Sequence, residues 1–223
     1  MTMEPFYPLK AYVCGNCFLV QLEEYEKATD IFSEDYAYFS SYSDSWLAHA
    51  RAYSEKMIAA EKLHDGSMVV EIASNDGYLL QYFHQAGVPV LGIEPTANTA
   101  AEALKKGVQT EVAFFGRETA QRLRNRGIQA DLMAANNVLA HVPDINDFVS
   151  GYRIILKRGG VANAEFPHLL RLMEQCQFDT IYHEHFSYLS LGTVRRIFAA
   201  HSMRVYDVEE LPGRSYFFVG LRY

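Results

Sequence analysis

The fold of this chain depends on residues 69–80, which read Val69-Val70-Glu71-Ile72-Ala73-Ser74-Asn75-Asp76-Gly77-Tyr78-Leu79-Leu80. An apolar, β-branched run leads into a small polar turn that ends at Gly77, and a second apolar segment follows. This order predicts a strand, a tight turn and the beginning of a helix. In open α/β sheets such a turn presents backbone N–H groups and a helix N-terminus to a ligand. We therefore expect a ligand-binding edge at this turn.

Strand and helix patterns alternate from this stretch onward. The predicted strands cover residues 68–73, 88–94, 109–112, 130–136, 161–166, 203–208 and 215–221. The predicted helices lie near residues 78–86, 98–106, 117–126, 145–156, 168–176 and 191–200, and Gly159-Gly160 is expected to end the fourth of them. Regular alternation predicts an α/β fold with a mostly parallel, doubly wound sheet, whose sites lie at the carboxyl ends of its strands.

The composition is that of a globular protein. Hydrophobic residues make up 49% and aromatic residues 13% of the 223 residues, which excludes a disordered chain. The net charge is −7 and no Lys/Arg cluster is present, so the sequence offers no footprint for nucleic acid or an anionic membrane. No apolar run reaches the roughly 18 residues of a membrane span, and the N-terminus lacks a signal-peptide pattern. We expect a cytoplasmic protein.

Residues 1–30 contain the motif Cys14-Gly15-Asn16-Cys17. A CxxC turn with a central glycine is typical of a zinc knuckle, because glycine allows the positive φ that points both thiolates at one metal ion. Structural zinc needs four ligands, and the third cysteine, Cys176, lies far away in a predicted helix. Two hypotheses stay open: Cys14 and Cys17 are free thiols, or they form half of a zinc site that other ligands complete.

An aromatic segment and a helix are predicted between residues 31 and 66. The segment reads Asp35-Tyr36-Ala37-Tyr38-Phe39-Ser40-Ser41-Tyr42 and is dense in rings and hydroxyl groups. Ser43 or Asp44 can cap a helix over residues 45–63, which Asp65-Gly66 ends. The tyrosines can pack on the main domain or close over a ligand as a lid, because tyrosine combines a flat apolar face with a polar tip.

The turn after the first predicted strand resembles motif I of S-adenosylmethionine-dependent methyltransferases. It is neither the GxGxxG dinucleotide motif nor a phosphate-binding Walker loop. S-adenosylmethionine carries an ammonium and a sulfonium group, which favour acidic neighbours such as Glu71 and Asp76. The resemblance implies a cofactor seat formed by the whole turn, namely Glu71, Ala73, Ser74, Asn75, Asp76 and Gly77.

Two further strand ends carry polar side chains that suit the same cofactor. Glu94 precedes Pro95 and lies 23 residues after Glu71, near the roughly 20-residue spacing of an acid that binds ribose hydroxyls. Asn136 and Asn137 end the fourth strand, where we expect them to contact the polar end of the cofactor. His141 follows them; it faces the cleft or serves as a structural histidine.

The segment Tyr182-His183-Glu184-His185 contains two imidazoles, a carboxylate and a phenol. An imidazole oriented by a nearby carboxylate takes up a proton near neutral pH, which favours a general base. Alternate histidines can also share a metal ion, as in a metal-dependent hydrolase, but a clear third ligand is missing. Phenols and imidazoles can further donate hydrogen bonds to an oxyanion.

Four longer motifs carry a specific resemblance. They read VEIASNDG at residues 70–77, ANNVLAHVPD at 135–144, EFPHL at 165–169 and QFDTIYHEHFSY at 177–188. Across about residues 10–212 the chain is similar to the S-adenosylmethionine-dependent sugar C-methyltransferases, which act on nucleotide-linked 4-keto-deoxyhexoses. The resemblance implies a class I methyltransferase fold, with a Rossmann-like seven-stranded sheet and a small N-terminal aromatic and helical extension. It also implies a remnant of a zinc-binding module at 1–30, a lid or linker at 31–66 and a methyltransferase domain at 67–223.

The resemblance further implies roles for five residues. His185 is similar to the family's base and Glu184 to its active-site carboxylate, whereas Tyr182, His141 and Tyr36 resemble residues that line the reacting centre. On this interpretation His185 removes the proton next to the keto group, and the resulting enediolate attacks the methyl group of S-adenosylmethionine.

The chain departs from the family's pattern in three ways. The first CxxC of the zinc module and the whole C-terminal domain are missing. The family's Gly-Gly-Ser is replaced by Leu211-Pro212-Gly213-Arg214-Ser215-Tyr216. These departures concern zinc and sugar binding more than cofactor binding. They leave open a truncated or degenerate relative that binds S-adenosylmethionine without catalysis.

Overall fold

The structure is a computed structural model that describes residues 6–33, 36–211 and 216–222. Two parts of the predicted motifs, Asp35 of the aromatic segment and Pro212-Gly213-Arg214-Ser215, lie outside these residues.

Strands and helices follow one another along the described chain. The strands are β1 (Ala11–Val13), β2 (Val20–Leu22), β3 (Val69–Ile72), β4 (Val90–Glu94), β5 (Thr110–Val112), β6 (Ala130–Asn136), β7 (Leu156–Pro167), β8 (Ser187–Tyr188), β9 (Arg204–Glu210) and β10 (Tyr216–Arg222). The helices are α1 (Ala28–Ile31), α2 (Asp44–Glu61), α3 (Leu80–Gln85), α4 (Ala97–Lys105), α5 (Arg117–Asn125), α6 (Ile145–Ile155), α7 (Leu169–Glu174) and α8 (Leu191–Ala200). Short 3₁₀ turns lie at Ser40–Tyr42, Leu139–His141 and Phe178–Thr180.

A seven-stranded sheet in the order β5-β4-β3-β6-β7-β10-β9 forms the body of the molecule. The first five strands in this order are parallel, and β10 runs antiparallel to both β7 and β9. The strand order reverses direction between β3 and β6, which creates the crevice where open α/β sheets bind ligands. This arrangement is the class I methyltransferase fold, and it confirms the predicted fold class.

One predicted boundary is wrong. Gly159 and Gly160 were expected to separate a helix from a strand, but β7 already begins at Leu156, directly after α6. The pairing of β6 with β7 shifts register between Ala130 and Leu132, so the two glycines lie in a bulge. Gly159 has φ +84°, and a Cβ on Gly160 would lie 3.0 Å from the carbonyl oxygen of Ala130, which explains why glycine stands at both positions.

A second, three-stranded sheet joins the N-terminal segment to the predicted catalytic segment. Its order is β1-β2-β8, with β2 antiparallel to both neighbours. The backbone N–H of Leu22 also donates to the carbonyl of Phe186, at 3.0 Å. The N-terminal segment therefore packs beside residues 182–188. The sequence did not predict these short strands, because three residues carry too little periodic signal. The predicted division into parts at residues 30 and 66 stays a prediction.

The pleat of the strands sorts side chains onto two buried faces. One face packs against α2, α3 and α4 through residues such as Val69, Leu132 and Val161. The opposite face packs against α5, α6 and α8 through residues such as Val70 and Met133. No helix within the described ranges is long and apolar enough to cross a membrane.

Candidate active site

A cavity of about 990 Å³ opens at the carboxyl ends of β3, β4 and β6. This volume lies at the upper end of the range for small-molecule sites, roughly 300–1,000 Å³. Several residues within 28–33 and 36–40 of the N-terminal segment form part of its wall, together with several residues within 136–148 and with Tyr182 and Glu184. The crevice that the strand order creates is therefore lined by segments that precede β3 in the chain and by segments that follow it.

The turn after β3 reaches the cavity through Ala73 and Asn75. Both have left-handed backbones, with φ of 54° and 48°, and Gly77 follows with φ of 76°. Non-glycine residues in this region are uncommon and concentrate at functional sites. The turn therefore holds two non-glycine residues in an uncommon backbone conformation at the edge of the sheet where a ligand would bind.

The other predicted members of this turn, Glu71, Ser74, Asp76 and Gly77, do not line the cavity. Glu71 is fully buried on the α2 face of the sheet, since its neighbours Val70 and Ile72 point to the other face. Burial raises the pKa of the Glu71 carboxyl well above its ordinary value, which favours a neutral group rather than a partner for a cation.

Asp76 and Gly77 shape the turn instead of contacting a ligand. The Lys106 Nζ atom lies 3.0 Å from the Asp76 carboxylate and donates to the Asp76 carbonyl at 2.7 Å. Gly77 lies against α4, where an added Cβ would approach the Ala103 Cβ to 3.2 Å. Ser74 fills the space beside Gly92, where an added Cβ would lie 2.3 Å from the Ser74 hydroxyl oxygen.

Glu94 connects the end of β4 to the turn after β3. One carboxylate oxygen accepts a hydrogen bond from the Asn75 backbone N–H at 2.8 Å. The other accepts from the Thr96 backbone N–H at 2.9 Å and from its hydroxyl at 2.6 Å. Burial raises the pKa of Glu94. Glu94 and the adjacent Pro95 both line the cavity, so this carboxylate is held at fixed orientation within reach of hydroxyl groups of a ligand.

Asn136 and Asn137 supply a polar wall at the end of β6. The side-chain oxygens of both are buried and have no hydrogen-bond partner among the described residues. Asn137 has φ of 62°, and its N–H donates to the Glu165 carbonyl at 2.7 Å. Unpartnered amide oxygens at a cavity wall suit a ligand that carries hydrogen-bond donors, as the ammonium end of S-adenosylmethionine does.

Side chains of the turn and of α4 hold the aromatic segment over the cavity. The Asn75 side chain donates to the Tyr38 carbonyl at 3.0 Å and accepts from the Ser40 N–H at 2.9 Å. The Asn98 side chain donates to the Tyr36 carbonyl at 2.8 Å. Tyr36 lines the cavity, and burial is the main cause that raises the pKa of its phenol to about 12. The sequence had not indicated Asn98, because no local pattern relates it to Tyr36.

Aromatic side chains that the sequence had not singled out as ligand contacts also line the cavity. They are Phe32, Trp46, Tyr78, Phe114, Phe115 and Phe148. Trp46 stacks on Tyr78 with ring centroids 5.8 Å apart, and Phe115 meets Phe148 edge to face at 5.4 Å. Flat apolar walls of this kind suit the adenine ring of the cofactor. The signal that could have indicated Tyr78 is its position directly after Gly77, at the ligand edge.

His141, Tyr182, Glu184 and His185 meet at one wall of the cavity, although they come from two distant segments. The rings of His141 and His185 have centroids 4.6 Å apart. The Tyr182 hydroxyl lies 3.1 Å from His185 Nε2, and His185 Nδ1 lies 2.9 Å from the Thr180 carbonyl oxygen. His141, Tyr182 and Glu184 line the cavity, whereas His185 is buried behind Tyr182.

Burial is the main cause of the pKa shifts of these four side chains. It lowers the pKa of His185, and it lowers the pKa of His141 to about 3, with a further decrease from the neighbouring His185. Both imidazoles are therefore neutral at pH 7, and the low pKa of His141 makes it a weak base that is better suited to hydrogen bonding than to accepting a proton. Burial also raises the pKa of Tyr182 to about 12 and that of Glu184, the latter with a contribution from Glu26.

His183 is separated from this wall. Its ring lies 5.9 Å from Tyr7 and 6.1 Å from Tyr25, and its Nε2 is 3.1 Å from the Pro8 carbonyl oxygen. Within the described residues no three His, Cys, Asp or Glu side chains group closely enough to hold a metal ion. The arrangement gives no support to a hydrolase metal site that uses His183 and His185.

Cys14 and Cys17 lie at a tight turn between β1 and β2. The Phe18 N–H donates to the Cys14 carbonyl at 3.0 Å, and Phe18 adopts φ of 62°. Hydrogen bonds from the backbone of Cys17 and Asn16 lower the pKa of the Cys14 thiol. The positive φ expected at Gly15 is found at Phe18 instead, and the described residues place only two thiols at this turn, where structural zinc takes four ligands. By themselves they do not fit a zinc site.

Comparison with known proteins shows which family this chain belongs to. The family profile described as "Methyltransferase domain" matches residues 46–207, and the profile described as "Putative zinc binding domain" matches residues 1–32. C-methyltransferase NovU of Streptomyces niveus is 37% identical over 205 residues, which cover 92% of this chain and 49% of that protein. A ubiquinone biosynthesis O-methyltransferase of Chelativorans sp. (strain BNC1) is 27% identical over 103 residues, which cover 46% of this chain and 41% of that protein. The chain thus spans about half the length of the curated relatives that it matches.

Solved structures share the fold at low sequence identity. A methyltransferase of Mesorhizobium loti superposes with a TM-score of 0.60 at 14% identity, covering 79% of this chain and 100% of that one. Magnesium protoporphyrin IX methyltransferase of Synechocystis PCC 6803, with bound S-adenosylhomocysteine, superposes with a TM-score of 0.61 at 16% identity, covering 87% and 91%. The family profile, the sheet order and the cavity at the β3 turn together identify this chain as a member of the S-adenosylmethionine-dependent methyltransferases.

Proposed function

We propose that the chain transfers the methyl group of S-adenosylmethionine to a carbon atom of a nucleotide-linked 4-keto-deoxysugar, by way of an enediolate. The observation that carries the proposal is the neutral imidazole of His185, which packs against His141 and lies 3.1 Å from the hydroxyl of Tyr182, two residues that line the cofactor cavity. Carbon methylation requires removal of a C–H proton, and a neutral imidazole can accept one. The 37% identity to a C-methyltransferase supports the same chemistry.

The cavity residues divide into a cofactor group and a substrate group in this proposal. Glu94 accepts hydrogen bonds from the ribose hydroxyls, while the Ala73–Asn75 turn and the two asparagines hold the polar end of the cofactor. When bound, S-adenosylmethionine supplies an electrophilic methyl group. Tyr36 covers the reacting centre from the aromatic segment, and hydrogen-bond donors of the wall stabilise the enediolate oxygen. Positioning by these groups is the main contribution to the transfer itself.

A second candidate function is cofactor binding without catalysis. It is favoured by the length comparison, because the chain covers 49% of the C-methyltransferase that it resembles. If the sugar is held by parts that only the longer protein contains, the cavity described above binds S-adenosylmethionine but catalyses no methyl transfer.

An incubation in D₂O separates the two functions. The protein is given S-adenosylmethionine and a nucleotide-linked 4-keto-2,6-dideoxyhexose, and the sugar is analysed by mass spectrometry and NMR. Methylated product supports the proposed transfer. Deuterium uptake next to the keto group without methylation supports proton removal but not transfer. Cofactor binding with neither deuterium uptake nor methylation would refute the catalytic function and favour the binding module.

A further inference from the structure

Tyr182 stands between His185 and the cavity. The Tyr182 residue is 38% exposed and lines the cavity, whereas His185 is 6% exposed and does not line it. The two rings have centroids 4.3 Å apart, so the phenol packs directly against the imidazole. A substrate in the cavity can therefore contact Tyr182 and His141, which line it, whereas His185 lies behind the cavity lining.

The hydrogen bonds of His185 direct its lone pair to Tyr182. His185 Nδ1 lies 2.9 Å from the Thr180 carbonyl oxygen, which can only accept, so Nδ1 carries the proton. In that tautomer Nε2 is the acceptor, and the atom 3.1 Å from it is the Tyr182 hydroxyl oxygen. The Tyr182 O–H must then donate to His185, which leaves the lone pairs of the phenol oxygen free to face the cavity.

We propose that the Tyr182 hydroxyl passes its own proton to His185 Nε2 in the same concerted step in which its oxygen takes the substrate proton. The inference rests on the proposed function, since it names the group through which that reaction removes the C–H proton. It makes Tyr182 a catalytic residue and His185 the proton acceptor behind it.

The relay is balanced in atoms and charge. The C–H bond next to the keto group breaks, and its proton forms a new O–H bond on Tyr182. The original Tyr182 O–H bond breaks and its proton forms the N–H bond of a His185 imidazolium, while the electron pair of the C–H bond stays on the substrate as the enediolate. The Thr180 carbonyl holds the imidazolium in place. Because the Tyr182 pKa is about 12, the phenol stays protonated at neutral pH and can relay a proton without forming a tyrosinate.

Glu184 is the rival base, because its carboxylate also lines the cavity. No side-chain hydrogen bond from the described residues orients it, in contrast to the two hydrogen bonds that orient His185. The rival predicts that loss of the carboxylate, and not of the phenol, stops proton removal.

Deuterium uptake by the keto-sugar in D₂O tests the relay with S-adenosylhomocysteine in place of the methyl donor, so that proton removal is measured alone. The variants are Tyr182→Phe, His185→Gln, the double variant and Glu184→Gln. Tyr188→Phe is the matched control, because its ring also packs on His185, at 6.3 Å, but it does not line the cavity. The affinity of each variant for S-adenosylhomocysteine shows that it is folded.

The relay predicts that Tyr182→Phe and His185→Gln each slow exchange by at least about 100-fold, the lower range for loss of a general base. The double variant should be no slower than the single ones, because both act in one transfer. Tyr188→Phe should stay within about 2-fold of the unaltered protein. Exchange by Tyr182→Phe at nearly the unaltered rate, or multiplicative losses in the double variant, would overturn the relay; so would a loss confined to Glu184→Gln. If the unaltered protein catalyses no deuterium exchange, the proposed function itself is refuted, and the relay is refuted with it.

Discussion

Replacing Gly77 with alanine should destabilise the chain by about 2–5 kcal/mol, because two separate costs add at this position. Gly77 has φ of +76°, where an L-residue is less stable by about 1–2 kcal/mol. An added Cβ would lie 3.2 Å from the Ala103 Cβ, 3.2 Å from a Val108 methyl and 3.3 Å from the Ala103 Cα. Overpacking of a buried contact costs about 1–3 kcal/mol more.

Gly87 provides a control that separates the two costs. Its φ is +78°, almost the same as that of Gly77, but nothing lies within 4 Å of its added Cβ. Gly87→Ala should therefore carry the backbone cost alone. Part of that cost is offset, by roughly 0.4–1 kcal/mol, because alanine also restricts the unfolded chain.

Urea denaturation at equal protein concentration measures both free energies of unfolding, with unchanged m-values as a check on two-state behaviour. Gly77→Ala should be less stable than Gly87→Ala by about 1–3 kcal/mol, and it should also weaken S-adenosylmethionine binding, since it displaces the turn that presents Ala73 and Asn75. Two variants of equal stability, or a Gly87→Ala that is the less stable one, would refute the argument that close packing on α4 fixes this glycine.

Three further experiments test other parts of the site. Glu94→Gln should weaken S-adenosylhomocysteine binding by about 10-fold or more in calorimetry, the effect of losing a charged hydrogen-bond acceptor. The control Glu102→Gln should leave the affinity unchanged, because Glu102 pairs with Lys105 and does not line the cavity. Equal affinities of the two variants would contradict the assignment of Glu94 to the ribose. Asn75→Ala removes both side-chain hydrogen bonds to residues 38–40, so amide hydrogen exchange of residues 36–42 should accelerate while that of β10 stays unchanged; unchanged protection of the segment would show that Asn75 does not hold it. The pKa of His141 is lowered from about 6.5 to about 3, so the unfolded chain binds a proton first as the pH falls, and stability should decrease from pH 6.5 downward; the urea midpoint of a His141→Gln variant should fall less between pH 7 and 5, and an equal fall would contradict this coupling.

Local patterns were sufficient for the elements and for much of the site. Hydrophobic period and turn chemistry are local properties, so they predicted α2 and the strands and helices after residue 68 to within about two residues, apart from the start of β7 and the short strand β8. Glu94, Asn136 and Asn137 were indicated because they end parallel strands, and such ends meet at one edge of a sheet. The bulge at Gly159-Gly160 was not, because a glycine pair predicts a break equally well.

Which side chains face the ligand was decided by the tertiary structure. The sequence by itself placed Glu71 and Asp76 at the cofactor turn, but the pleat turns Glu71 to the α2 face and Lys106 pairs with Asp76. It indicated His185 as the base without showing that the ring and hydroxyl of Tyr182 lie against it. It also contained no sign that Asn98 holds Tyr36 or that β8 pairs with β2, because these contacts join residues far apart in the chain. The physical reason is that strand and helix follow from short-range periodicity, whereas burial, pairing and the direction of a lone pair depend on the packing of segments that only the folded chain brings together.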